Sequence, residues 1–127
     1  MTDDIWRWSD ELARDPASLA FLPLGEALRR QGQLDVARRV AVRGLERHPR
    51  HPDAHDLLAR VYVDAGEFQS AFDEWDMALG LAPDHTGSLK GLAFVCFQQG
   101  RLDEAEGYLR RAALGDAPDA GISTAFD

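Results

Sequence analysis

The sequence predicts an all-α fold in which helical hairpins stack into an α-solenoid, and three observations predict it. Gly32, Gly66 and Gly100 are evenly spaced along the chain, and the same interval separates Leu34, Phe68 and Leu102, and Ala37, Ala71 and Ala105. In the first half of each row so defined, apolar or small residues recur at i, i+3, i+4 and i+7, the spacing of one helix face: Phe21, Leu24, Gly25 and Leu28 in the first row, Leu89, Leu92, Ala93 and Cys96 in the third. Pro49 and Pro83 close the first two rows, and a residue without an amide hydrogen cannot continue a helix.

Each element follows from the same reasoning. Residues 1–17 predict a capping helix, with Ile5, Trp8 and Leu12 on one stripe, Trp6 off it, and a stop before Pro16. Residues 18–51, 52–85 and 86–119 each predict helix, turn, helix. The first helix of each row meets its glycine, which adopts the left-handed conformation that ends a helix without steric cost. The second helices carry Leu34, Ala37, Ala41 and Gly44, then Phe68, Ala71, Trp75 and Ala78, then Leu102, Ala105, Leu109 and Ala112. At Gly25/Ala59/Ala93, Ala37/Ala71/Ala105 and Gly44/Ala78/Ala112, bulk beyond a methyl group would hold packed helices apart. The third row departs at its end, with Ala117 in the proline place and Pro118 one residue late. Residues 120–127 predict a short helical cap or tail using Ile122 and Phe126. The whole chain, 1–127, reads as one domain.

The pattern F-x2-LG-x2-L…A…P in the first row and H-x2-LA-x2-Y…A-x3-W…P in the second resembles the tetratricopeptide repeat, a helical hairpin of about 34 residues. Leu89, Cys96 and Leu109 replace the aromatic positions of the third row. The resemblance implies a right-handed solenoid of three repeats that acts as a non-catalytic adaptor or scaffold. It also implies a concave surface, lined by the first helix of each repeat, that takes up a peptide segment or a helix of a protein partner.

Carried over position by position, that groove holds Leu19, Leu22, Pro23, Glu26 and Arg29, then Asp53, Asp56, Leu57, Arg60 and Val63, then Gly87, Lys90, Gly91, Phe94 and Phe97. Leu22, Leu57, Phe94 and Phe97 offer apolar contact, whereas Glu26, Asp53, Asp56, Arg60 and Lys90 would orient charge. Members of the family that grip a C-terminal carboxylate do so with Lys and Asn; the matching places here are Leu22, Glu26, Leu57, Gly87 and Gly91, so that clamp is missing. Pro23 is out of place in a helix beginning near Pro16, where it would leave the Leu19 carbonyl unpaired; either the helix begins later or that carbonyl is offered to a partner. Gly87 and Gly91, one turn apart, would admit another backbone closely or simply mark a weaker helix.

Composition narrows the function further. The 127 residues carry a formal net charge of −8, with 45% hydrophobic and 28% charged residues, which fits a globular domain and disfavours nucleic acid as a partner. No run of about 18 apolar residues is present to span a membrane, and the N-terminus lacks a basic head and an apolar segment, so a cytoplasmic protein is expected. The single cysteine, Cys96, sits at a core position and reads as packing. His48, His51 and His55 have spacing compatible with a metal but lie around a proline-interrupted turn and read as turn and surface residues. No cofactor, metal or catalytic group is expected. The charge is uneven: residues 18–51 hold seven Arg against three acids, and residues 52–85 hold one Arg against eight acids. The alternative to the adaptor is therefore an assembly subunit that associates with its own copies, through its ends or by pairing Arg38, Arg39, Arg43 and Arg47 with Asp73, Glu74 and Asp76.

Overall fold

The computed structural model describes residues 2–115, which form seven α-helices and, among those residues, no strand. They are α1 (Thr2–Arg14), α2 (Phe21–Arg30), α3 (Leu34–Arg47), α4 (Pro52–Asp64), α5 (Phe68–Leu81), α6 (Thr86–Gln98) and α7 (Leu102–Gly115). The late Pro118 of the third row and the expected C-terminal cap over 120–127, with Ile122 and Phe126, lie outside the described residues.

Three tight turns set the hairpins. Gly32, Gly66 and Gly100 have φ of 78°, 79° and 76°, the left-handed region in which a side chain is strained. After α2, the amide of Gly32 donates to the Arg29 carbonyl at 2.9 Å and that of Gln33 to Leu28 at 3.0 Å, so the last carbonyls of the helix are satisfied. The same pair of bonds recurs from Gly66 and Glu67, and from Gly100 and Arg101. A Gly66→Ala variant should lose about 1 kcal/mol, because nothing crowds the site and only the backbone penalty acts; thermal denaturation would measure it.

Helix starts also repeat. The Nδ1 atoms of His51 and His85, which hold the same place in successive repeats, cap α4 and α6 by accepting the amides of Asp53 and Ser88, each at 3.2 Å. α2 has no side-chain cap; in front of it the Ser18 hydroxyl accepts the Ala20 amide at 3.0 Å and donates to the Glu11 carboxylate of α1, which fixes the approach of the chain. This helix begins later in its repeat than α4 and α6 do in theirs, at Phe21, so Pro23 stands in its first turn. The Leu19 carbonyl accepts the Leu22 amide at 3.0 Å and is not offered to a partner.

Helices of a pair pack most extensively on each other, then α3 on α4 and α5 on α6. The first helices α2, α4 and α6 also touch in succession, which places them on the inner, concave layer of the stack. Small residues make the close approaches feasible: Ala37, Ala41, Ala54, Ala59, Ala71 and Ala78 are fully buried. α1 closes one end, with Ile5, Trp8 and Leu12 packed against a cluster containing Leu24, Leu28, Ala37 and Val61, while Trp6 is exposed as its position off the stripe predicts. A second cluster gathers Phe21, Ala41, Ala54, Leu57 and Leu58, and a third surrounds Trp75 and Leu79 with Leu89, Leu92 and Val95.

Candidate interaction surface

The inner layer carries the predicted residues as columns that recur once per repeat across α2, α4 and α6. Glu26, Arg60 and Phe94 form one such column, and Leu22, Asp56 and Lys90 another. A depression of about 210 Å³ between α2 and α4 is lined by Leu22, Glu26, Asp53, Asp56, Leu57 and Arg60. Six of the residues expected to line the groove thus meet at one hollow.

Charge in the hollow is organised by arginine. Glu26 accepts from Arg29 Nε and Nη2 at 2.9 and 2.7 Å and from Arg30 Nε at 3.0 Å, and Arg29 Nη1 reaches across to Asp64 Oδ2 at 2.7 Å. The Arg29 hydrogen bonds, supported by the nearby positive charge, hold the Glu26 carboxyl below its ordinary value, and burial only partly opposes them. Arg60 lies 3.2 Å from Asp56 Oδ2 and 3.8 Å from Glu26 Oε2, so it ties the two helices together at their inner edges. Asp64 was not among the predicted site residues, although it lies one repeat and one residue after Arg29, where neighbouring inner helices face each other.

Several predicted groove residues are committed to packing. Leu57 is buried over Gly25, where an added Cβ would come within 2.6 Å of the leucine's tip. Asp56 is buried and accepts from Trp75 Nε1 at 2.6 Å, so its carboxylate serves the core as much as the surface. Gly91 offers no access to a foreign backbone, because the Trp75 indole occupies the space over it. Gly87 leaves room for the Asp56 carboxylate, which would stand 2.8 Å from a Cβ there. Asp53, exposed, accepts from His85 Nε2 at 2.6 Å. Leu19, Pro23 and Lys90 are exposed.

At the other end of the inner layer, Phe94 and Phe97 of α6 are 43% and 64% exposed. Phe94 is steadied by the half-buried Phe68, with ring centroids 6.3 Å apart. The concave layer therefore runs from a charged hollow at α2 and α4 to an aromatic shelf at α6.

The histidines serve the turns. His48 stacks on Phe21 and its Nε2 donates to the Ala17 carbonyl at 2.7 Å, whereas His55 is buried with its ring nitrogens 2.8 Å from the Pro49 carbonyl oxygen and 2.9 Å from the Glu74 carboxylate. Among the described residues, no group of three or more His, Cys, Asp or Glu is arranged to hold a metal ion. Cys96 is buried, and burial pushes its thiol up, away from the thiolate a nucleophile requires. No helix among the described residues is long and apolar enough to cross a membrane.

Residues 22–86 and 57–121 each match the family model described as tetratricopeptide repeat. The chain belongs to the tetratricopeptide repeat family. It is 35% identical over 100 residues to cellulose synthase operon protein C of Xanthomonas axonopodis pv. citri (strain 306), a match that covers 79% of this chain but only 7% of that relative. Among solved structures it is similar to a crystal structure of MamA, with a TM-score of 0.76 and 21% identity over 88% of this chain and 66% of the other. A second similar structure, residues 41 to the end of MamA from Desulfovibrio magneticus RS-1, has a TM-score of 0.74 and 17% identity, covering 86% of this chain and 62% of that one. These likenesses carry the fold. The tetratricopeptide fold is that of a protein-interaction scaffold, and such repeats typically bind protein partners without catalysis.

Proposed function

We propose that this tetratricopeptide domain, acting as one unit over residues 1–127, is an adaptor whose concave layer binds a segment of another protein. The supporting observation is the exposure of Phe94 and Phe97 on α6, an inner helix whose remaining apolar residues are covered. Two phenyl rings left in water at adjacent turns are a ready contact for an apolar or aromatic side chain of a partner. The ligand continues past Arg60 toward Glu26 and Asp53, where opposite charges set its direction and register. Buried Leu57, Asp56 and Gly91 shape this surface from beneath, and the side chains that meet the ligand are Leu22, Glu26, Asp53, Arg60, Lys90, Phe94 and Phe97. Leu19, Pro23 and Gly87 border them.

A displayed random-peptide library panned on the chain tests the reading. Enriched peptides should bind the parent at least about tenfold more tightly than a Phe94→Ser, Phe97→Ser double variant, since loss of a well-covered aromatic anchor commonly costs about 2 kcal/mol or more. Phe97→Ser alone should keep the parent melting temperature, because that ring is largely in solvent, and it separates binding from stability where the loss of Phe94, which packs on Phe68, affects both. Peptides that bind both proteins equally would remove the aromatic shelf from the function.

A further inference from the structure

The arginines of this acidic chain are not distributed evenly between paired and unpaired states. Of thirteen arginines, Arg7, Arg14, Arg29, Arg30, Arg60, Arg101 and Arg110 are in ion pairs, and Arg111 donates to the Pro83 carbonyl. The remaining five, Arg38, Arg39, Arg43, Arg47 and Arg50, make no hydrogen bond or ion pair among the described residues, and all lie on α3 or the turn that follows it. Four of these on α3 outnumber Asp35 and Glu46, the acids of the same helix. A formal charge of −8 supplies carboxylates in excess, yet among the described residues none is attached to this face.

The opposite surface is on α5. That helix holds Asp73, Glu74 and Asp76 and no basic residue; Glu74 is engaged with His55, while Asp73 and Asp76 are exposed and in no ion pair among the described residues. Arg39 and Asp73 hold the same place in successive repeats, as do Arg43 and Met77, so the two faces are one repeat position with opposite charge. They do not neutralise each other within the chain, where α4 packs between α3 and α5.

Each face also has an apolar element. Val42 is 38% and Met77 47% exposed, and beside the arginines a cleft of about 600 Å³ between α1, α2 and α3 is lined by the apolar Leu12, Pro16, Phe21 and Val40 and by Gly44, with Arg43, Arg47 and the single acid Glu46 at its edge. Methionine is well suited to an irregular hollow of this kind because its unbranched chain and polarisable sulfur adapt to it.

We propose that α3 of one copy docks on α5 of a second copy, with Asp73 and Asp76 set against the unpaired arginines and Met77 directed to the cleft. Both surfaces lie on second helices of their hairpins, away from the aromatic shelf, so this contact goes beyond the groove reading. Because the two surfaces differ, the contact is head to tail and leaves one α3 and one α5 face free at the ends of every pair. Association then continues into short filaments.

The test is a charge exchange followed by sedimentation velocity over a range of protein concentrations at low and high salt. The parent chain should self-associate at low ionic strength and dissociate in about 1 M salt, where the screening length falls to roughly 3 Å. Arg39→Glu with Arg43→Glu should weaken association by about tenfold or more, and so should Asp73→Arg with Asp76→Arg. Mixed in equal amounts, the two double variants should associate again, since each supplies the face that the other lacks. All four positions are exposed, so melting temperature and binding of peptides to the concave layer serve as folding controls; Met77→Glu gives an independent weakening should either double variant fail to fold. A parent chain that stays monomeric at low salt, variants that associate as the parent does, or folded variants whose mixture remains monomeric would each overturn the proposal.

Discussion

Trp75→Ala should lower stability by about 3–5 kcal/mol, the range for removing a large aromatic side chain from a packed core. Two losses combine at this position. The indole is buried against Gly91 and belongs to the cluster holding Leu89, Leu92 and Val95, so its removal leaves a cavity between α5 and α6. It also donates to Asp56 at 2.6 Å, and a buried carboxylate that loses a donor retains its desolvation cost. Trp75→Phe separates the two contributions. It keeps most of the apolar contact and removes only the hydrogen bond, so a loss of about 1–3 kcal/mol is expected, and a Trp75→Phe, Asp56→Asn double variant should be less costly than the two single changes added together. Chemical denaturation of the four proteins would measure the coupling. Additive losses would show that Arg60, which also contacts Asp56, is sufficient to satisfy the carboxylate.

The same tryptophan shows what a sequence can and cannot reveal here. Helix order and turn positions were legible because they rest on backbone rules: glycine where φ is positive, proline where a helix starts or stops, and alanine where helices meet. Position-by-position reading of the groove was less complete, since exposure depends on the size of side chains from other helices. Asp56 and Gly91 occupy inner positions by register, yet the Trp75 side chain from α5 takes both. Leu57 follows the same logic, because Gly25 of the preceding repeat gives it somewhere to go. One signal was available for Asp56: a buried indole needs an acceptor, and its helix runs beside the only helix that could supply one within the same hairpin. Phe94 and Phe97 were easier to anticipate as surface residues, since the repeat register alone sets them on the inner face of α6 and the buried positions of that helix are filled by Leu89, Leu92, Ala93 and Cys96. The unpaired state of the α3 arginines was not legible, because Asp35 and Glu46 stand at spacings along the same helix that allow pairing and only coordinates show that no pair forms.

Gly44→Ala should destabilise the chain by about 1–3 kcal/mol, whereas Gly25→Ala should be close to neutral, although both replace a buried helical glycine. In an open helix either change would gain roughly 1 kcal/mol from helix propensity. At Gly44 the new Cβ would lie 2.1 Å from Cδ2 of Phe21 and 2.2 Å from Cε2, inside the ring's own van der Waals envelope. Phe21 has little freedom to withdraw, being buried and stacked on His48 with ring centroids 5.8 Å apart, so α2 and α3 must separate. At Gly25 the nearest atom, 2.6 Å away, is Cδ2 at the flexible end of Leu57, which a rotamer change can move toward the hollow between α2 and α4. The difference between the two variants thus measures the stiffness of the neighbour. Phe21→Leu should make Gly44→Ala less costly than in the parent, because a branched aliphatic chain can turn aside from the methyl group where a ring cannot. Equal melting temperatures for Gly44→Ala and Gly25→Ala would mean that helix propensity alone governs these sites, and the spacing of small residues along the chain would then need a cause other than helix approach.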